Sequence, residues 1–233
     1  MFKRLIAAGA LMSLAISPNT AIAQDAEEAA EAESAPVSMA RKIYEPINYN
    51  ANEDRENILV LDLSNGKRVQ IRLMEQWAPT HIERIKTLTR RGFYDGVIFH
   101  RVIDGFMAQT GDPTGTGQGG SELPDLKAEF NPMPHIRGTL SMARAQSEDS
   151  ANSQFFINFY PRFALDKRYT NLGRVIRGMD GVDAITRGEP PQNPTRVLQA
   201  SIAADNKPVP VPPPPAPEPE VITADMLSGL SSE

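Results

Sequence analysis

Short apolar runs, broken by Gly, Pro, Asn and Asp, fill the middle of this chain. Ile58 to Leu63 is a run of strand formers. Ser64-Asn65-Gly66-Lys67 follows, and its Asn-Gly pair predicts a two-residue hairpin turn. Val69, Ile71 and Leu73 then alternate with Arg68, Gln70 and Arg72, the pattern of a half-buried strand. The period changes after Ala78. Pro79 suits a first helical position, and Ile82, Ile85 and Leu88 fall on one face. Gly92 ends this helix just after Arg90 and Arg91, whose charge suits a helix C-terminus. From there to Ile202 strands dominate, with a second helix around Gly178 to Thr186. Many short strands and two helices predict a mainly β fold, an antiparallel barrel with helices over its ends.

The two ends of the chain read differently. Lys3 and Arg4 precede an apolar run, Leu5 to Ile16, and Ala21-Ile22-Ala23 forms a small-x-small cleavage site. That is the pattern of a secretory signal peptide over residues 1–23, with Gln24 as the first mature residue. The run is too short to span a bilayer, so no stable membrane insertion is expected after cleavage. The pattern is of a bacterial kind and places the mature chain in the periplasm. Residues 24–56 form an acidic, flexible segment. Residues 57–205 are the globular domain. Residues 206–233 are a Pro-rich disordered tail, in which Pro208 to Pro219 makes a polyproline II spacer.

Composition narrows the chemistry. The 233 residues are 40% hydrophobic with a formal net charge of -5, which argues against a nucleic-acid binder. The chain has no cysteine, so disulfides and thiolate metal sites are excluded. His81, His100 and His135 fit no zinc spacing. Gly115-Thr116-Gly117-Gln118-Gly119-Gly120 satisfies a dinucleotide-type glycine pattern, but Pro124 follows and no alternation of strand and helix surrounds it. It reads as a flexible loop. No G-x-S-x-G nucleophile elbow occurs. Trp77 is expected at the hairpin–helix junction.

The richest stretch is Phe99-His100-Arg101-Val102-Ile103-Asp104-Gly105-Phe106-Met107-Ala108-Gln109-Thr110-Gly111-Asp112. It sets a cation, large apolar side chains and an amide on a strand, a turn and a second strand. A guanidinium beside an apolar pocket can bind a proline ring and hydrogen-bond its backbone. The stretch resembles the signature of the cyclophilins, the peptidyl-prolyl cis-trans isomerases. Leu140-Ser141-Met142-Ala143-Arg144-Ala145, followed by Asn152-Ser153-Gln154-Phe155-Phe156-Ile157-Asn158, resembles their second signature. The resemblance runs from the first hairpin to Ala204.

It implies a closed eight-stranded antiparallel barrel capped by two α-helices. It also implies isomerisation of X-Pro bonds in unfolded or partly folded secreted proteins, by a monomer with no cofactor and no metal. The barrier to that rotation is ~18–20 kcal/mol, and a donor to the prolyl nitrogen lowers it as the amide twists. Arg101 maps onto the family's catalytic arginine; arginine stays charged and offers five fixed N–H groups. Phe106, Met107 and Phe156 become the walls of the proline pocket, and Leu165 closes it. Phe155 and Phe156 must face opposite ways on a strand, so Phe155 is assigned to the core. Gln109 and Gln154 become backbone anchors, or else structural amides within the wall. Ala143 leaves room for the peptide. His100, next to Arg101, is expected to pack inside.

Three positions depart from many eukaryotic members. Ala164 stands where they have tryptophan, with Phe163 one place earlier as a substitute. Tyr169 replaces a pocket histidine, and Arg144 replaces an asparagine. Because the tryptophan takes part in binding cyclosporin, weak binding of that drug is expected. The departures also keep open a non-catalytic proline-binding or chaperone module, which would bind peptides without accelerating rotation. A lipocalin-like barrel would need an open apolar interior.

Overall fold

The protein was analysed as a computed structural model that describes residues 44–211. The expected signal peptide and most of the expected tail lie outside the described residues. The order of elements is β1 (Ile58–Leu63), β2 (Arg68–Leu73), α1 (Pro79–Arg90), β3 (Arg101–Ile103), β4 (Met107–Thr110), β5 (Thr139–Met142), β6 (Phe155–Asn158), β7 (Asn171–Arg177), α2 (Met179–Asp183) and β8 (Val197–Ile202). The strands form one sheet in the order β3-β4-β6-β5-β7-β2-β1-β8. Every named pair is antiparallel.

The sheet is a curled half-barrel and does not close, contrary to the expectation. β3 is only three residues long, and its free edge is taken by the loop at Gly188, which exchanges two backbone bonds with Val102 at 2.8 and 2.9 Å. Irregular chain before β3 meets β8 instead. Gly96 N–H donates to Val197 O at 2.7 Å, and Phe99 N–H donates to Thr195 O at 2.9 Å. These loop bonds fill the seam where a ladder would need a longer β3.

Period-2 alternation builds the core. Leu59, Leu61, Val69, Ile71, Val102, Ala108, Leu140, Phe155 and Ile157 are buried together, with Ile82, Ile85 and Leu88 of α1 packed among them. Burial of each large apolar side chain contributes roughly 1.5–3 kcal/mol. Phe99, Phe155 and Phe159 fill this interior, which leaves the lipocalin-like alternative without its open cavity. The first turn is longer than expected. Leu63 N–H donates to Lys67 O at 2.9 Å, so three residues connect the strands, with Gly66 at φ 78°. The second helix is shorter, five residues, after Gly178 at φ 80°.

Arg72 does not face solvent. It is 2% exposed and lies under residues 48–54. Its Nε donates to Asn48 O at 3.0 Å, Nη1 to Asp54 O at 2.9 Å, and Nη2 to Asn50 O and Glu53 O at 2.7 and 2.9 Å. The end of the N-terminal segment is thus part of the folded body. Arg90 adds a clip, with Nη2 2.5 Å from Glu56 Oε1 and 3.1 Å from Asp205 Oδ1. Arg55 bonds Ala203 O and Asn206 Oδ1 beside it.

Candidate active site

Register assembles the site. Arg101 on β3 pairs with Gln109 on β4, Gln109 with Phe156 on β6, and Phe156 with Ser141 on β5. Directly paired residues share a face, so a cation, an amide and an aromatic ring stand in a row across three strands. The next positions along, Val102, Ala108, Ile157 and Leu140, belong to the core on the other face. Phe155 lies in that core, and Phe156 is on the site face.

The walls come from loops as well as strands. Met107 shares the face of Gln109 and is 1% exposed, so it forms a floor rather than a rim. Phe106, half-buried just before β4, carries the Arg162 guanidinium 5.2 Å from its ring centre, and Arg162 Nη2 donates to Gly105 O at 3.1 Å. Leu165 ends a 3-10 turn, Phe163–Leu165, and Tyr169 N–H donates to Leu165 O at 3.1 Å. The Tyr169 ring meets Phe156 edge-on, centroids 5.8 Å apart. The Arg144 guanidinium lies over the Tyr169 ring, 4.7 Å from its centre. Phe163, expected from the sequence to stand in for a tryptophan, is 63% exposed.

A cavity of about 520 Å³ adjoins this row, lined by Gln109, Ala143, Arg144, Asn152, Gln154 and the glycine-rich loop. The two amides are not equivalent. Gln154 Oε1 accepts from Gln109 Nε2 at 2.9 Å, and its Nε2 donates to Gly117 O and Gly119 O at 3.1 and 2.8 Å. The side chain of Gln154 is therefore bonded within the wall, while Gln109 uses only its Nε2 in this contact. Ala143 N–H donates to Gln154 O at 2.9 Å, so this small residue borders the same cavity.

The glycine-rich loop is held, not slack, and the residue holding it is Asp112. Its Oδ1 accepts from Thr114 N and Oγ1, both at 2.8 Å, and its Oδ2 accepts from Gly117 N and Gly119 N at 2.6 and 3.1 Å. Burial would raise the carboxyl pKa, but these hydrogen bonds outweigh it and hold it at about 2. A Cβ on Gly119 would collide with the carboxylate. His100 is 5% exposed beneath Gly117. Burial pushes its pKa below the usual imidazole value, with Asp112 pulling the other way, so it is neutral near pH 7. Sequence inspection missed Asp112 as an organiser; its only local signal is the Asp-x-Thr spacing of a side-chain turn. It also missed Glu189, whose Oε2 is 2.7 Å from Arg101 Nε across 88 positions of sequence.

Comparison with known proteins agrees with this geometry. The family model for cyclophilin type peptidyl-prolyl cis-trans isomerase/CLD matches residues 58–203. A probable peptidyl-prolyl cis-trans isomerase of Brucella suis is 46% identical over 170 residues, covering 66% of this chain and 86% of that protein. Peptidyl-prolyl cis-trans isomerase B of Bacillus subtilis is 38% identical over 128 residues, covering 54% and 89%. A crystal structure of a cyclophilin from Hirschia baltica matches with TM-score 0.61 at 28% identity, over 65% of this chain and 76% of that one. A cyclophilin type isomerase of Cryptosporidium parvum, crystallised in the presence of the dipeptide Ala-Pro, matches with TM-score 0.58 at 28% identity, over 62% and 98%. The chain belongs to the cyclophilin type peptidyl-prolyl cis-trans isomerases. Its activity is the rotation of X-Pro peptide bonds, which sets aside the module without catalysis.

Proposed function

We propose that this isomerase acts on unfolded and partly folded secreted proteins in the periplasm, taking them as extended X-Pro segments and working as a monomer. The basic start, short apolar run and Ala21-Ile22-Ala23 support the location. The observation that carries the site is the register row Arg101–Gln109–Phe156. Strands about 4.8 Å apart make that row roughly 10 Å long. That is the reach of about three residues of extended chain.

In this reading the proline ring rests on Met107 and Phe156, between Phe106, Leu165 and Tyr169. Gln109 Oε1 accepts a backbone N–H of the substrate, and Ala143 leaves space for the residue beside it. Gln154 fixes Gln109 and the loop. Arg101 donates to the prolyl nitrogen as that atom becomes pyramidal. This interaction is absent from the planar ground state, so it lowers the barrier rather than tightening substrate binding.

Exchange NMR on a short X-Pro peptide with residues 24–233 tests the assignment. Arg101→Ala should cost on the order of 10²-fold in turnover. Wild-type turnover in that variant would overturn the role of Arg101. For the location, mass spectrometry of the exported protein should find an N-terminus at Gln24. Cyclosporin should bind weakly, since Ala164 offers no indole and Phe163 points to solvent; nanomolar inhibition would contradict this.

A further inference from the structure

We infer that Glu189 is a positioning residue for Arg101, holding the guanidinium so that its terminal N–H groups face the bound proline. The inference rests on Arg101 being the catalytic cation. Glu189 Oε2 accepts from Arg101 Nε at 2.7 Å. Among the described residues, no acceptor takes Arg101 Nη1 or Nη2. A guanidinium is planar, so fixing the Nε–H direction fixes the plane in which the Nη donors lie.

The loop carrying Glu189 is itself fixed to β3. Gly188 and Val102, each the neighbour of one partner, exchange two backbone bonds at 2.8 and 2.9 Å. Gly188 sits at φ 144°, and a Cβ there would approach the Pro191 backbone to 2.6 Å. Pro190 and Pro191 restrict the chain that follows. On the other side, Arg187 Nη1 donates to Asp183 O and Ile185 O at 2.7 and 2.5 Å, and its guanidinium lies 4.1 Å over the Phe159 ring. Its Nε also reaches Asp104 Oδ1 at 3.3 Å. The carboxylate is thus presented from a pinned strap.

Stability is a poor reason for this pair. The side chains are 44% and 50% exposed, and such surface pairs contribute little to folding. A positioned donor, by contrast, acts in the transition state, where small misplacement is expensive.

The test uses the full-length chain, one X-Pro peptide and exchange NMR, with Glu189→Ala, Glu189→Gln, Arg101→Ala and the Arg101→Ala/Glu189→Ala double variant. Glu189→Ala should lower kcat about tenfold with KM within about twofold. Its urea midpoint should match wild type. Glu189→Gln, whose amide oxygen still accepts from Nε, should recover part of the loss. The Arg101 Nε–Hε resonance should move in Glu189→Ala. The double variant should be no slower than Arg101→Ala alone. If Glu189→Ala keeps or raises kcat while Arg101→Ala collapses, the positioning role is wrong and the role of Arg101 stands. An extra loss in the double variant would also overturn it, because Glu189 would then act independently of Arg101. If Arg101→Ala itself stays active, the underlying site assignment fails instead.

Discussion

Phe155 and Phe156 are chain neighbours with different tasks. Phe155 is wholly buried and meets Tyr94 edge-on at 5.4 Å. Phe155→Ala should therefore cost about 3–5 kcal/mol in urea unfolding. Phe156→Ala removes a ring that is also buried, at 4% exposure, but on the site face, so beyond a stability loss it should raise KM for an X-Pro peptide, which Phe155→Ala should not. An unchanged KM in Phe156→Ala would contradict the division. This pair was legible in the sequence because strand geometry forces adjacent side chains apart. Other residues were not. Arg72 alternates with Ile71 and Leu73, which reads as a polar, open face; nothing in β2 announces that residues 48–54 cover it with four carbonyls. Glu189 was invisible for a similar reason, since a contact across 88 positions leaves no local pattern.

At the scale of elements, the glycine-rich loop shows how one carboxylate orders a segment whose composition suggests slack. Asp112→Ala would leave the Gly117 and Gly119 N–H groups without their acceptor. A hydrogen bond to a charged group contributes about 1.5–3 kcal/mol, so the loss of these two alone should cost about 3–6 kcal/mol. It should also bind peptide more weakly, because the loop carbonyls that hold Gln154 would drift. Urea unfolding and peptide titration by NMR check both parts; unchanged values would show that the loop is ordered by something else. The strands and α1 were readable from periodicity, because burial of one face dictates it. Closure of the barrel was not. It depends on which backbone reaches the free edge of β3: Gly188 occupies that edge, and the 96–99 chain rather than β3 meets residues 195–197 at β8.

For the molecule as a whole, acidity is the sensitive variable. His81, His100 and His135 are all buried, at 0%, 5% and 0% exposure. Burial pushes each pKa below the ordinary imidazole value, and Glu129, Asp112 and Asp166 offset it only in part. The unfolded chain therefore takes up protons that the folded chain refuses. Stability is full above about pH 6.5 and falls as pH drops below it. Glu129, whose carboxyl is held below its usual range despite burial, adds to the fall at lower pH. Urea midpoints should decline from pH 7 to pH 5; a flat profile would show that the histidines titrate alike folded and unfolded. The clip at Arg90 carries a mechanical consequence. β1 and β8 are antiparallel neighbours, with Leu59 opposite Ile202, so both ends of the domain leave from one edge. Tension applied through the two flanking segments pulls along the ladder bonds rather than across them. Once the hold of Arg72 on residues 48–54 and the clasp of Arg90 on Glu56 and Asp205 give way, the edge strand β8 peels from β1 one bond at a time. The domain should thus yield readily to a machine that drags the chain by its ends, while resisting loads applied elsewhere on the sheet.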